Sequence, residues 1–223
     1  LRTVPPGDIP PNSIADLDHM RRSSFLTLLT TKGADQLNAS WSGWSQVELP
    51  LRLAGLGLTS PKTIVEVAWV SSVGQACHTF APRLAAQGMH IPGLADLATC
   101  PFWSLFRSAL VSLHERLVAS AAKPHTLALA SLSHFQDILS MASTPLKPFA
   151  YQHEWTVALH EGIFSNLLAR APHEQALRLL SCAGEGAGGW LRAIPVSKAF
   201  TLSSVAFQDR LHFLLGLDLP SLE

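Results

Sequence analysis

The run from Ser60 to Leu84 constrains this chain more than any other stretch. Ser60 offers a capping hydroxyl, and Pro61 suits the first helical turn, where its missing N–H removes no intrahelical bond. Ile64, Val67, Ala68, Val70, Val73 and Cys77 then crowd nearly every side of the helix. Such a helix has no broad polar face and should be central and buried. The β-branched "TIVEV" is compatible with a short strand, but the length of the run and its Ser-Pro start favour helix.

The remaining segments repeat the helical period. Residues 1–12, with four prolines, form an extended lead-in. Asn12 or Ser13 can cap a helix reaching about Thr30, with Ile14, Leu17, Phe25 and Leu28 on its apolar side. "TTKGADQLNASWSGW" reads as a looser stretch. Trp103–Ala121 carries Phe106, Leu110, Leu113 and Leu117 at helical spacing. Pro124 opens a helix to about Met141, and Tyr151–Leu168 aligns Trp155, Leu159, Ile163 and Leu167. Pro172 starts a short helix through about Cys182. A last helix, Ser203–Leu215, points Phe207, Leu211 and Leu214 inward and stops at Gly216. The expected fold is all-α: an irregular bundle of about seven helices with Pro- and Gly-marked turns, forming one domain over 13–223.

Only 14% of the residues are charged, against roughly 25% in an average soluble domain. Either Ser, Thr, Gln and His solvate the surface, or another domain or subunit covers part of it. Lys plus Arg and Asp plus Glu are 16 each, and the only adjacent basic pair is Arg21-Arg22. Without a basic stripe, contact with nucleic acid should be modest or shared. Three dispersed cysteines form no disulfide framework, which suggests an intracellular setting, the nucleus included. No apolar stretch approaches the roughly eighteen residues of a membrane span. The chain opens on Leu1 rather than Met and reads as a fragment.

Several motifs look chemical but lack their context. "GEGAGG", Gly184–Gly189, spells the dinucleotide-binding G-x-G-x-x-G. That motif needs a buried strand before it and a long helix after it. Here "EQALRLLSCA" has leucines at helical spacing, and Pro195 forbids a long helix. The run is better read as a glycine-rich helix end, with Trp190, Leu191 and Ile194 returning to the core; no cofactor is expected. "WSGWS", Trp41–Ser45, matches a box of extracellular cytokine receptors but lacks their paired cysteines and strands. Asn38-Ala39-Ser40 is a sequon, idle inside a cell. No His-Glu pair extends to H-E-x-x-H, and His153 with His160 would need a third ligand, so no metal site is assigned. Cys77 and Cys100 lie in apolar surroundings, where a thiol is usually inert.

Three stretches, taken in order, carry a resemblance: "WSQVELPLRLAGLGLTSP" (44–61), "LLSCAGEGAGGWLRAIPVS" (179–197) and "LSSVAFQDRLHFLLGLDLP" (202–220). The set resembles the region downstream of the reverse transcriptase domain in eukaryotic non-LTR retrotransposon polyproteins. There "W…LP…GGLGL.S" follows the polymerase thumb, then "A..GA.AWL.A.P" and "L….F..AL..RLGL.LP". The resemblance implies a thumb-exit segment at 44–61, a helical connector at 61–183 and a glycine-rich turn with terminal helix at 184–220. Ala54 stands where the family usually has the first glycine of "GGLGL". His212 and Leu214 stand where arginines are frequent.

The parent polyprotein would be an RNA-directed DNA polymerase. This chain contains no Asp-Asp pair to hold a polymerase's metal ions. The resemblance therefore implies a non-catalytic connector whose partners are the polymerase and nuclease domains of the parent, with RNA or DNA bound weakly or jointly. Arg52, Lys62 and Arg192 lie in or beside the family-like segments and are the candidate nucleic-acid contacts. A free-standing α-helical protein-interaction adaptor is the alternative.

Overall fold

The computed structural model describes residues 4–88, 100–140, 151–192 and 201–222. Among these residues the chain forms eleven α-helices and no strand. They are α1 Pro11–Leu26, α2 Thr31–Ala39, α3 Gly43–Glu48, α4 Pro61–Ala86, α5 Pro101–Ala119, α6 Pro124–Leu129, α7 Leu132–Ser140, α8 Tyr151–Arg170, α9 His173–Cys182, α10 Gly189–Arg192 and α11 Ser204–Leu215. The all-α architecture agrees with the sequence reading, with more and shorter helices than the seven expected. Contacts divide the chain into two compact units, a finer partition than one domain over 13–223. The first comprises Leu1–Ile14 and Pro61–Gly162, and the second Ala15–Ser60 and Ile163–Glu223.

In the first unit α4 is central. Val67, Trp69 and Val70 are buried there with Phe106, Leu110, Leu113 and Leu117 of α5. Phe135 of α7 and Tyr151, Trp155 and Leu159 of α8 complete the core. The aromatic rings meet largely edge to face, Trp69 with Phe106 at 6.0 Å and Phe106 with Phe135 at 5.0 Å between centroids. The helix expected from Pro124 to Met141 is two helices. Ala130, buried, ends α6, and Ser131 Oγ accepts from His134 N at 3.2 Å to start α7. Met141 lies outside the described residues.

In the second unit one core joins Phe25 and Leu29, Leu37 of α2, Val47 of α3 and Leu211, Leu214 and Leu215 of α11. A second joins Leu49, Leu53, Ala54, Leu167 and Leu179. The stretch expected to be loose folds into α2 and α3. Thr30 Oγ1 accepts from Gly33 N at 3.0 Å, and Leu37 and Val47 are wholly buried. Tertiary burial here outweighs the weak helical preference of Gly33, Asp35 and Asn38. On α1, Phe25 is buried as expected but Leu17 is exposed, and the helix ends at Leu26 rather than about Thr30, leaving Leu28 exposed beyond it. The inward face carries Asp18 and Arg21 instead.

Candidate functional site

The second unit brings the three family-like segments together. Segment 44–61 leaves α3 as a tight turn. Gly57 N donates to Leu49 O at 2.7 Å, and Leu56 N and Leu58 N both donate to Val47 O. The turn is too close for side chains at Gly55, where a Cβ would lie 1.9 Å from Leu49 O. Ala54, wholly buried, adopts the left-handed region with φ 60°. L-residues other than glycine enter that region at a cost of about 1 kcal/mol, so the backbone at residue 54 suits glycine.

Segment 179–191 docks on this turn. Gly184 N donates to Arg52 O at 2.8 Å, beside the antiparallel pair Leu53 and Ala183. A Cβ at Gly188 would lie 2.5 Å from that of Leu51, so this glycine is needed for close packing. It follows α9 and precedes the four-residue α10, so a helix stands where a dinucleotide site needs a strand. Trp190 packs on Phe207 of the third segment, with centroids 5.8 Å apart. Ile194 and Pro195 lie outside the described residues.

The third segment is α11 and its exit. Ser203 Oγ caps it by accepting from Ala206 N, and Gly216, at φ 72°, ends it. Gln46 Nε2 donates to Leu214 O at 2.7 Å and to Ala54 O at 2.9 Å. Arg178 also donates to Leu214 O, and its Nη2 lies 3.1 Å from Gln46 Oε1. One of the carbonyls left over at the helix end is thus satisfied from two other elements. His212 and Leu214 are buried, so neither presents a side chain to phosphate.

A charged cluster anchors the turn to α1. Arg21 Nη2 lies 2.6 Å from Asp18 Oδ1 and 2.9 Å from Glu48 Oε1, and Nη1 donates to Leu58 O. Burial raises the Asp18 carboxyl, but hydrogen bonds and charge from Arg21, aided by Arg22 and Ser60, outweigh it and hold it below its usual value. For Glu48 burial wins: its carboxyl is raised despite Arg21, and the neighbouring Asp18 adds to the rise.

Of the candidate contacts, Arg52 is exposed on the junction turn. Arg192 ends α10, which follows the docked glycine run in the same unit. Lys62 is exposed in the first turn of α4, in the first unit. The residues that organise the junction, Gln46, Arg178 and Arg21, were not singled out from sequence. The signal for Gln46 was a lone amide within "WSQVELP"; Arg178 had none. The WSGWS box lies on the approach to and within α3, where Arg170 lies over the Trp41 ring at 5.7 Å and Arg22 over Trp44 at 4.9 Å. His153 is exposed and His160 buried, and no group of three His, Cys, Asp or Glu able to hold a metal occurs among the described residues.

The arrangement defines an all-α chain whose second unit is organised round a packed junction. Comparison with known protein families, with curated proteins and with solved structures finds no match.

Proposed function

We propose that this chain is a non-catalytic helical connector from a retrotransposon reverse transcriptase polyprotein, positioning the modules that handle nucleic acid. The observation that carries the reading is the convergence of segments 44–61, 179–191 and 202–220 on one junction, through Gly184 N to Arg52 O and Gln46 to Leu214 O. Segments that share a packed junction can persist together in a family for a physical reason. The left-handed backbone at Ala54 supports the same reading, since the resembled family usually has glycine there. Met20, Phe80, Leu177, Leu180 and Phe213 are each more than half exposed, which suits a chain covered by neighbouring domains.

The reading frame around the chain is the test. A polymerase domain with paired aspartates upstream in the same frame is the expected result. A start codon directly before Leu1 and a stop after Glu223 would instead favour the adaptor reading, to which the same exposed side chains lend themselves. Nucleic-acid contact is tested separately by reversing Arg52, Lys62 and Arg192 to glutamate. RNA and DNA affinity should fall; unchanged affinity, or none to change, removes these residues from the function.

A further inference from the structure

Three helices of the first unit meet at one hydroxyl. Tyr151, the first residue of α8, is wholly buried. Its Oη lies 2.5 Å from His78 Nε2 on α4 and 3.1 Å from His134 Nε2 on α7. Phe135, next to His134 and also wholly buried, stacks on the same tyrosine with centroids 6.1 Å apart. Thus α7 is held by an apolar plug and a polar chain side by side. Pro82, within α4, has no N–H to donate to the His78 carbonyl, so α4 lacks one helical bond at this level.

Geometry sets the proton count of the chain. A phenol has one proton to donate, and a neutral imidazole has one bare and one protonated nitrogen. The phenol proton is used within the chain when Oη donates to one Nε2, which is bare, and accepts from the other, which carries its proton. In that arrangement the two histidines hold opposite tautomers. A further proton on the bare Nε2 sets N–H against O–H across that contact, so the O–H must turn away and the bond it donated is lost.

We propose that His78–Tyr151–His134 is a proton-sensitive latch on α7, closed when both imidazoles are neutral and opened when the bare Nε2 takes up a proton. The surroundings favour the closed form at neutral pH. On α4, burial pushes the neighbouring Cys77 thiol up to about 11, so it stays uncharged. Burial likewise raises the Tyr151 phenol, which keeps its proton. Burial lowers His78. Burial and the neighbouring His78 lower His134, against the opposing pull of Asp137 on α7. On α6, which packs against α7, His125 faces Glu154 of α8 at 3.8 Å. On α5, which packs against α4, Arg116 pairs with Glu66 at 2.8 Å.

With both imidazoles lowered, the folded chain binds fewer protons than the unfolded one. The latch is then fully stabilising above the ordinary histidine value of about 6.5 and is lost as pH falls through the lowered folded values. The test uses the whole chain. Nitrogen-15 NMR at about pH 7.5 should find one of the two Nε2 atoms bare and the other protonated; the same tautomer at both histidines overturns the latch. Hydrogen exchange of α7 amides, corrected for intrinsic rates, should lose about tenfold protection between about pH 7.5 and about pH 5.5. Tyr151→Phe keeps the ring and should abolish that change, with circular dichroism reporting the fold. If Tyr151→Phe loosens the core, His78→Gln is the second variant. A wild-type pH response in the folded variant overturns the proposal.

Discussion

Gln46 and Leu214, 168 residues apart, are joined by a 2.7 Å bond from the side-chain amide of one to the backbone carbonyl of the other. The same amide nitrogen holds Ala54 O, and its oxygen accepts from Arg178. Every hydrogen-bonding group of a fully buried glutamine is therefore used. Gln46→Leu keeps the volume nearly constant and leaves these groups under-satisfied. It should destabilise the chain by about 2–4 kcal/mol, read as a lower urea midpoint. A wild-type midpoint would remove Gln46 from the junction.

Gly33 tests the packing of α2 on α11. In a helix interior Gly→Ala usually stabilises by about 1 kcal/mol. Here a Cβ would lie 2.3 Å from His212 Cε1 and 2.5 Å from its Nε2. His212 is buried and its Nδ1 is held by Asp218 O, so the ring has little room to move. Gly33→Ala should therefore destabilise, and adding His212→Ala should recover part of the loss in a double-mutant cycle.

Two helix ends make a matched comparison. After α5, Ala122 N donates to Leu117 O and Ala121 N to Val118 O; after α11, Leu217 N donates to His212 O and Gly216 N to Phe213 O. The two loops share one hydrogen-bond pattern. The left-handed position is glycine in α11 but alanine in α5, with φ 51° at Ala121. Ala121 is exposed, so Ala121→Gly should raise stability by about 0.5–1 kcal/mol. Ala54→Gly should be near neutral, because about 0.8 kcal/mol of methyl burial is lost there as strain is relieved. Thermal melts of the two variants check the contrast.

Asp18 and Glu48 share Arg21 but should respond oppositely to neutralisation. Asp18 has a lowered folded pKa, so its contribution is present above the ordinary value of 3.8 and is lost as pH falls through the folded value. Glu48 has a raised one, so its contribution is present below 4.5 and is lost as pH rises through the folded value. At neutral pH Asp18→Asn should destabilise, while Glu48→Gln should not. Urea unfolding at neutral pH and at about pH 4 separates the two.

Much of the fold was legible because apolar spacing and proline or glycine punctuation act locally. Phe106, Leu110, Leu113 and Leu117 are buried as their spacing required, and Ser203 and Gly216 bound α11 as read. The outward turn of Leu17 was not legible, because the ion cluster of Arg21 with Glu48 orients α1 and Glu48 lies on a different helix. Of the junction, its three segments were visible as patterns, but Arg178 was one basic residue among several until the end of α11 was placed beside it.

The sequence by itself determined that this chain is helical, where α4, α5, α8, α9 and α11 begin and end to within about two residues, and that no paired aspartates stand ready for polymerase metals. Periodicity and capping depend on neighbours within a few residues, so they can be read along the chain. Only the tertiary structure decided that Gln46 serves Leu214, that Gly33 makes room for His212, and that His78, Tyr151 and His134 share one hydroxyl. Those relationships join residues separated by up to 179 positions, between Gly33 and His212, and they depend on distances that packing alone sets.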